Sequence, residues 1–254
     1  MFAEERQEMI VALVNKDGSV RVKELSERFQ VTEDSIRKDL TLLEKKGLLK
    51  KTYGGAVKRR INVHDMPVSQ RKDKNILSKQ IIAEHAMKLI HNGNVIFLDI
   101  STANLELAKL LSKSLLNITI VTNMIDIMLE FINPGTIKLI FLGGTFEKEN
   151  SGFVGSITIE QIKQYRFDLA FLGVVGVDVF ENVVDTYDVE DGLTKNVVLD
   201  VSKKTYMMLE SRKFNMDGTY KYARIDEFTG GVLDTGPPED LREKLAEYDI
   251  EWIY

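Results

Sequence analysis

Apolar residues return at helical spacing three times within the first forty-five positions. Met9, Ile10, Leu13 and Val14 predict a helix over 4–15, stopped by the turn-forming Lys16-Asp17-Gly18. Val22, Leu25 and Phe29 predict a second helix over 22–29. After the short turn Gln30-Val31, Thr32 stands as an N-cap for a third helix whose apolar positions are Ile36, Leu40 and Leu43. Helix, tight turn and capped helix together predict a helix-turn-helix. One stripe of its second helix is buried, and Ser35, Arg37, Lys38, Thr41 and Lys45 remain available to a DNA groove. Gly47 is a C-cap candidate, and residues 48–52 and 56–57, separated by Tyr53-Gly54-Gly55, predict a small two-stranded wing.

Beyond a polar stretch carrying Pro67, the pattern changes to alternating helix and strand. Helices are expected over 76–90, 105–114, 125–131, 157–165 and 189–201, and strands over 95–98, 119–121, 137–142, 169–173 and 206–209. Such alternation predicts an α/β domain built on a mainly parallel sheet, with ligand loops at the carboxyl ends of its strands. The expected division is a winged helix-turn-helix over 1–57, a linker over 58–75 and a sensor domain over 76–254.

The charge distribution sharpens this division. The chain of 254 residues has a net charge of −5. Residues 1–60 nevertheless hold 14 Lys and Arg against 10 Asp and Glu, and residues 35–60 hold nine basic and two acidic side chains. A positive field therefore lies where the groove-reading helix and wing are expected, while the acidic remainder repels phosphate. No cysteine is present and the three histidines are scattered, so neither a metal site nor a cofactor is expected. Without a signal sequence or a membrane-length apolar run, the expectation is a soluble cytoplasmic protein with no membrane partner.

Residue chemistry suggests roles on both sides of the linker. Arg37 can pair bidentately with a guanine edge, while Lys45, Lys46, Lys50 and Lys51 suit phosphates. Thr32 and Tyr53 complete the expected DNA surface. Asp39 would be repelled in a groove and is read as a partner for a basic residue of the first two helices. After the strand at 95–98, the turn Asp99-Ile-Ser-Thr-Ala-Asn104 runs into a helix. Its free N–H groups and the side chains of Ser101, Thr102 and Asn104 can serve an anion such as phosphate, or can simply cap the helix.

From Arg6 to Ala56 the sequence resembles the DNA-binding domain of DeoR-type bacterial transcriptional regulators. The resemblance rests on Val22-x-Glu24-Leu25, Phe29-x-Val31-Thr32, Ser35-Ile-Arg-Lys-Asp-Leu40, Leu43 and Thr52-Tyr-Gly-Gly-Ala56. Arg71, Asn75, Lys79, Ile82-Ala83, Gly93, Asp99, Ser101-Thr102, Val121-Thr-Asn123 and Gly143-Gly144 are similar in order to the sensor domain of the same family. Asp168–Gly173, Gly176-Val-Asp178, Lys195 and Ser211-x-Lys213-Phe214 continue that similarity. The resemblance implies a fold related to ribose-5-phosphate isomerase, with a phosphorylated sugar or similar metabolite as effector. It implies that Ser101, Thr102 and Lys213 hold the phosphate, and that Asp99, Asn123, Asp178 and Lys195 face the sugar hydroxyls.

The sequence also departs from the family's usual pattern. Ser35 replaces a threonine, Ser101 a glycine, Ala103 a hydroxyl residue, Glu210 an aspartate and Arg212 a small residue. Ser101 lacks glycine's access to positive φ, so a reshaped phosphate loop is expected, and Arg212 adds a candidate anion clamp. The leading expectation is a repressor of sugar-metabolism genes, binding double-stranded operator DNA as a homo-oligomer under control of a phosphorylated sugar. The alternative is a sugar-phosphate isomerase-like enzyme with an accessory DNA domain. Against it, Thr194 stands where the related isomerases carry glutamate, although Asp178 and Glu190 are near in sequence.

Overall fold

The computed structural model describes residues 2–62, 67–133 and 135–254. As far as they are described, the residues form two compact units. One comprises Met1–Ile61 with Pro238–Ala246, the other Asn62–Pro237 with Glu247–Tyr254.

The first unit contains α1 (Ala3–Asp17), β1 (Ser19–Arg21), α2 (Val22–Phe29), α3 (Glu33–Lys45), β2 (Lys50–Thr52) and β3 (Gly55–Val57). Ile10 and Val14 of α1, Leu25 and Phe29 of α2, and Ile36, Leu40 and Leu43 of α3 are buried in one cluster with Leu49 and Ala56. The Thr32 hydroxyl accepts the Ser35 N–H at 3.2 Å and starts α3. Gly47 ends the third helix at φ +75, with the Leu48 N–H donating to the Leu43 carbonyl at 3.0 Å. The wing has three strands, in the order β1-β3-β2, because Ser19–Arg21 pairs with β3. In those three residues only Val20 is buried, too short an alternation to be recognised as a strand.

Asp39 is buried beneath the third helix, where it accepts from Arg6 Nε at 2.6 Å and Gln7 Nε2 at 2.9 Å, both on α1. This is the structural pairing expected of an acid on a basic helix. Asp39→Asn, which retains the shape and removes the charge, is expected to cost the first unit about 1–3 kcal/mol. Denaturant unfolding of the full chain measures this, and an unchanged midpoint would dismiss the Arg6 bond as a stabilising contact.

After β4 (Ile61–Asn62), residues 63–66 lie outside the described residues, as do Met1 and Pro134, so the expected linker over 58–75 is described only in part. Within it, Val68–Lys72 forms α4, with Val68 buried. Next come α5 (Ile76–Met87), β5 (Val95–Leu98), α6 (Thr102–Leu111), β6 (Thr119–Thr122), α7 (Ile125–Leu129) and β7 (Lys138–Phe141). A hairpin of β8 (Thr145–Glu147) and β9 (Gly152–Val154) leads through α8 (Ser156–Ile162) to β10 (Leu169–Gly173). Then follow β11 (Gly176–Asp178), β12 (Val183–Thr186), α9 (Val189–Val201), β13 (Thr205–Leu209), β14 (Met216–Asp217), β15 (Tyr220–Ala223) and β16 (Gly230–Leu233). α10 (Arg242–Leu245) belongs to the first unit, and β17 (Glu251–Ile253) to the second.

Among the described residues, seven strands form one parallel sheet in the order β17-β16-β13-β10-β5-β6-β7. The chain moves from β5 outward to β7, then returns to β10 and works toward the other edge. Strands β5 and β10 are therefore neighbours whose connections leave in opposite directions, and their carboxyl ends open a crevice. β16 and β17, absent from the sequence reading, pair as parallel strands. Gly230-Gly231 offers no side chains for a period-two pattern, and β17 is only three residues long. Strands β11, β12 and β15 form a separate antiparallel sheet. No helix of the described residues is long and apolar enough to cross a membrane.

Candidate functional site

The outer face of the third helix carries Arg37, Lys38 and Lys45 exposed, with Ser35 and Thr41 half-buried. Arg37 is held along its own helix by Glu33 (2.5 Å) and Asp34 (2.9 Å). Lys51 of the wing donates to the Thr41 hydroxyl at 2.7 Å, which donates to the Arg37 carbonyl at 2.7 Å. Thr32 stands at the start of this face, and Tyr53, at the tip of the wing, is fully exposed. These eight residues belong to the surface that α3 and the wing present. The exposed Arg37 pairs are worth well under about 1 kcal/mol each, so another anion can replace the carboxylates at little cost.

In the second unit a cleft, part of it open to solvent, lies where β5, β10 and β13 end. Ser101, Thr102 and Ala103 reach it from β5, Gly173 and Val174 from β10, and Glu210 and Lys213 from β13. Ser101 is the N-cap of α6, its hydroxyl accepting the Asn104 N–H at 3.1 Å. The first-turn N–H groups of Thr102 and Ala103 precede the first intrahelical donor, Leu105, and add the positive helix end to the cleft. Gly173 permits this close meeting of strand and turn. A Cβ at that position would stand 2.3 Å from the Ser101 Cβ.

One end of the cleft is cationic. Arg71, Lys79 and Lys213 line it, with Glu210 between them. Burial lowers the Lys213 pKa to about 8, against the pull of Glu210, and burial likewise lowers that of Lys79. For Glu210 burial opposes ionisation, but Lys213, Arg212 and Asn75 outweigh it and its pKa is lowered. The other end is anionic. Lys195 sits between Asp99 (3.1 Å) and Asp191, and Asp191 also accepts from the Thr186 hydroxyl at 2.5 Å. Burial works against the Lys195 charge, yet the two carboxylates prevail and its pKa is raised. The Asp99 pKa is raised chiefly by burial.

Of the sequence-derived effector residues, Ser101, Thr102, Lys195 and Lys213 line this cleft. Asp99 and Asn104 stand behind it. Asp99 accepts from the Gly173 N–H at 2.9 Å, and Asn104 Nδ2 donates to Asp99 at 2.6 Å and to the Phe171 carbonyl at 2.7 Å. Asn123 and Asp178 do not line the cleft formed by the described residues. Asn123 Nδ2 donates to the Phe153 carbonyl at 2.7 Å, and Asp178 accepts the N–H groups of Phe180 and Glu181 at 2.9 and 3.1 Å.

Residues 6–60 match the DeoR-like helix-turn-helix domain, and residues 74–235 match the DeoR C terminal sensor domain. The chain belongs to the DeoR family. Among its relatives, an uncharacterised HTH-type transcriptional regulator of Bacillus subtilis is 32% identical over 93% of this chain and 90% of its own length. A lactose phosphotransferase system repressor of Staphylococcus epidermidis is 30% identical over 96% of each chain. The glycerol-3-phosphate regulon repressor of Escherichia coli is 28% identical over 97% of each. Among solved structures, ribose 5-phosphate isomerase A of Methanocaldococcus jannaschii is 16% identical, covers 57% of this chain and 55% of its own, and has a TM-score of 0.40.

Two departures from the DeoR pattern resolve differently from expectation. Ser101 has φ −144, extended backbone open to any residue, so the turn needs no glycine there. The Arg212 guanidinium faces neighbouring Glu210, with Nε–Oε2 2.8 Å and Nη2–Oε1 3.2 Å, and is not among the residues that line the cleft. Arg71, Lys79 and Asp191 were not assigned to a site from the sequence. For Asp191 the signal was present: it precedes Lys195 by one helical turn on α9. For Arg71 and Lys79 the meeting is made by folding.

Proposed function

We propose that this DeoR-family chain is a transcriptional repressor of sugar-metabolism genes, released from or retained on its operator by a phosphorylated sugar. A homo-oligomer reads two half-sites through the third helix and wing, using Thr32, Ser35, Arg37, Lys38, Thr41, Lys45, Lys51 and Tyr53. The proposed domain division is the winged helix-turn-helix over 1–57, the linker over 58–75 and the sensor over 76–254, with residues 238–246 of the last packing into the first compact unit.

The observation that carries the reading is the polarity of the cleft. Its cationic end and the free N–H groups of α6 suit a phosphate, and its carboxylates suit hydroxyl groups. Lys213, Ser101 and Thr102 would bind the phosphate, Lys195 a hydroxyl, and Asp99 and Asn104 would brace that set. Asn123 and Asp178 would act only through the surrounding loops.

Thermal stabilisation by a panel of phosphorylated sugars, but not by the same sugars without phosphate, is the expected result. A uniform lack of response would end this reading. The ammonium of Lys213 is present below pH 8, so inorganic phosphate affinity is expected to fall as pH rises from 7 to 9. Lys213→Met should weaken binding at pH 7 by about tenfold or more and flatten that dependence, the equivalent of about 1.5–3 kcal/mol for a charged hydrogen bond. A variant with the parental pH profile would remove Lys213 from the phosphate site.

The protein is further proposed to lack isomerase turnover. The Thr194 hydroxyl donates to the Glu190 carbonyl at 2.8 Å, and the Asp99 and Asp191 carboxylates are engaged by Lys195. Position 194 therefore supplies no carboxylate as the base of an enediol mechanism, and the other lining carboxylates, Asp188 and Glu210, accept from the Glu190 N–H and from Arg212. Ribose 5-phosphate converted to product would refute this, whereas stabilisation without turnover supports the sensor.

A further inference from the structure

α4 is a strap, a short helix that follows the wing, β4 and residues 63–66 in the chain. Its Arg71 is unusually placed. The guanidinium stacks over the Tyr187 ring at 5.4 Å to the centroid, and Nη2 donates to Asn150 at 2.5 Å. Arg71 lines the cleft, yet its Nε is buried without a hydrogen-bond partner. A buried guanidinium N–H left unmatched is costly, and the cleft beside it can supply an acceptor.

The strap is also tied at its main chain. Lys79 Nζ, from the cleft wall, donates to the Arg71 carbonyl, and the Val68 N–H donates to the Glu149 carbonyl at 2.8 Å. Beyond the strap, Asn75 adopts φ +51 and donates through Nδ2 to Glu210 at 2.6 Å. Side chains at the cationic end of the cleft thus hold the strap in place through its carbonyl and its following residue.

We propose that Arg71 is an anion ligand of the cleft and that occupancy of the cleft repositions α4. This rests on the phosphate reading of the same cleft. A phosphate oxygen accepting from Arg71 Nε draws the guanidinium from Asn150 and competes for Lys79, the ammonium that holds the Arg71 carbonyl. Occupancy and strap position become one equilibrium, and the ligand shifts it by its differential affinity for the two strap arrangements.

The test uses the full chain with inorganic phosphate as probe, at constant ionic strength. Wild-type protein is expected to show phosphate-dependent change in hydrogen exchange at the amides of Val68–Lys72. Arg71→Ala is expected to bind phosphate at least tenfold more weakly and to lose that change. Arg71→Lys, which keeps the charge and volume but lacks Nε–H, is the companion if the alanine variant fails to fold. It is expected to bind several-fold more weakly, also without the strap response.

Parental affinity in either folded variant overturns the assignment of Arg71. Wild-type binding with no exchange change over Val68–Lys72 overturns the repositioning of α4 alone. If Lys213→Met abolishes phosphate binding while Arg71→Ala does not weaken it, the cleft reading stands and this one falls. If wild-type protein does not respond to phosphate or to any phosphorylated sugar, both fall together.

Discussion

Lys195→Met is expected to lower the stability of the second unit by about 3–5 kcal/mol, the usual cost of removing one member of a buried charge set. Lys195 and Asp99 are only 3% and 2% exposed, and the ammonium is shared between Asp99 and Asp191. Methionine fills the volume but leaves two carboxylates facing each other. The Gly173 N–H and Asn104 Nδ2 still serve Asp99, and the Thr186 hydroxyl still serves Asp191, so the structure keeps hydrogen bonds while losing its counter-charge.

The pH dependence has a definite sign. In the wild type the Lys195 pKa is raised, so its stabilisation is complete below the unfolded value of about 10.4 and lost only as pH rises beyond it. In the variant Asp99, whose pKa burial already raises, loses the Lys195 charge that opposes this and holds its proton more tightly when folded than when unfolded. Stability then falls as pH rises above about 4, making the deficit larger at pH 8 than at pH 5. Adding Asp99→Asn should recover part of the loss. Unfolding midpoints measured at both pH values decide the matter, and a pH-independent deficit would show that Lys195 contributes packing rather than charge.

Arg37→Ala is expected to remove operator recognition. A bidentate contact to guanine discriminates by about 1–3 kcal/mol per half-site, and two half-sites double this to about 2–6 kcal/mol, or roughly 30-fold to more than 10⁴-fold in affinity. In the absence of DNA the guanidinium rests on Glu33 and Asp34, exposed pairs that yield readily. Lys45→Ala should behave differently. It should weaken binding to all sequences alike and reduce the slope of log affinity against log salt by about one for each phosphate no longer neutralised. Fluorescence anisotropy on a fragment of the gene's own upstream region, repeated across salt concentrations, separates the two. Parental affinity in the Arg37 variant would remove α3 as the reading element.

What a single chain segment could disclose, its sequence disclosed well. The stripe Ile36, Leu40 and Leu43, the Thr32 cap, the strands at 95–98 and 169–173 and the helix over 189–201 all follow from periodicity and capping within a few residues. Even Asp39 was legible, because an acid in a basic reading helix needs a buried reason. The helix after β5 begins at Thr102 rather than at 105 because Ser101 caps it and no apolar periodicity marks its first turn. Strands β1, β16 and β17 were hidden for a related reason. Three residues, or two glycines, make no pattern, and only pairing with a neighbouring strand turns them into sheet.

The sequence by itself therefore determined the two-part architecture, the cationic reading face and the family. Tertiary structure alone decided which polar groups share one cleft. Asp99 and Asn104 were drawn inward as braces, Asn123 and Asp178 were spent on neighbouring loops, and Arg212 was engaged by Glu210. Arg71 and Lys79 were brought to the same end of the cleft as Lys213, far along the chain from both. The physical reason is that helix and strand formation depend on neighbours three or four positions away, whereas a binding site depends on which carboxyl ends the sheet order places side by side, and that order is set by packing of the whole domain.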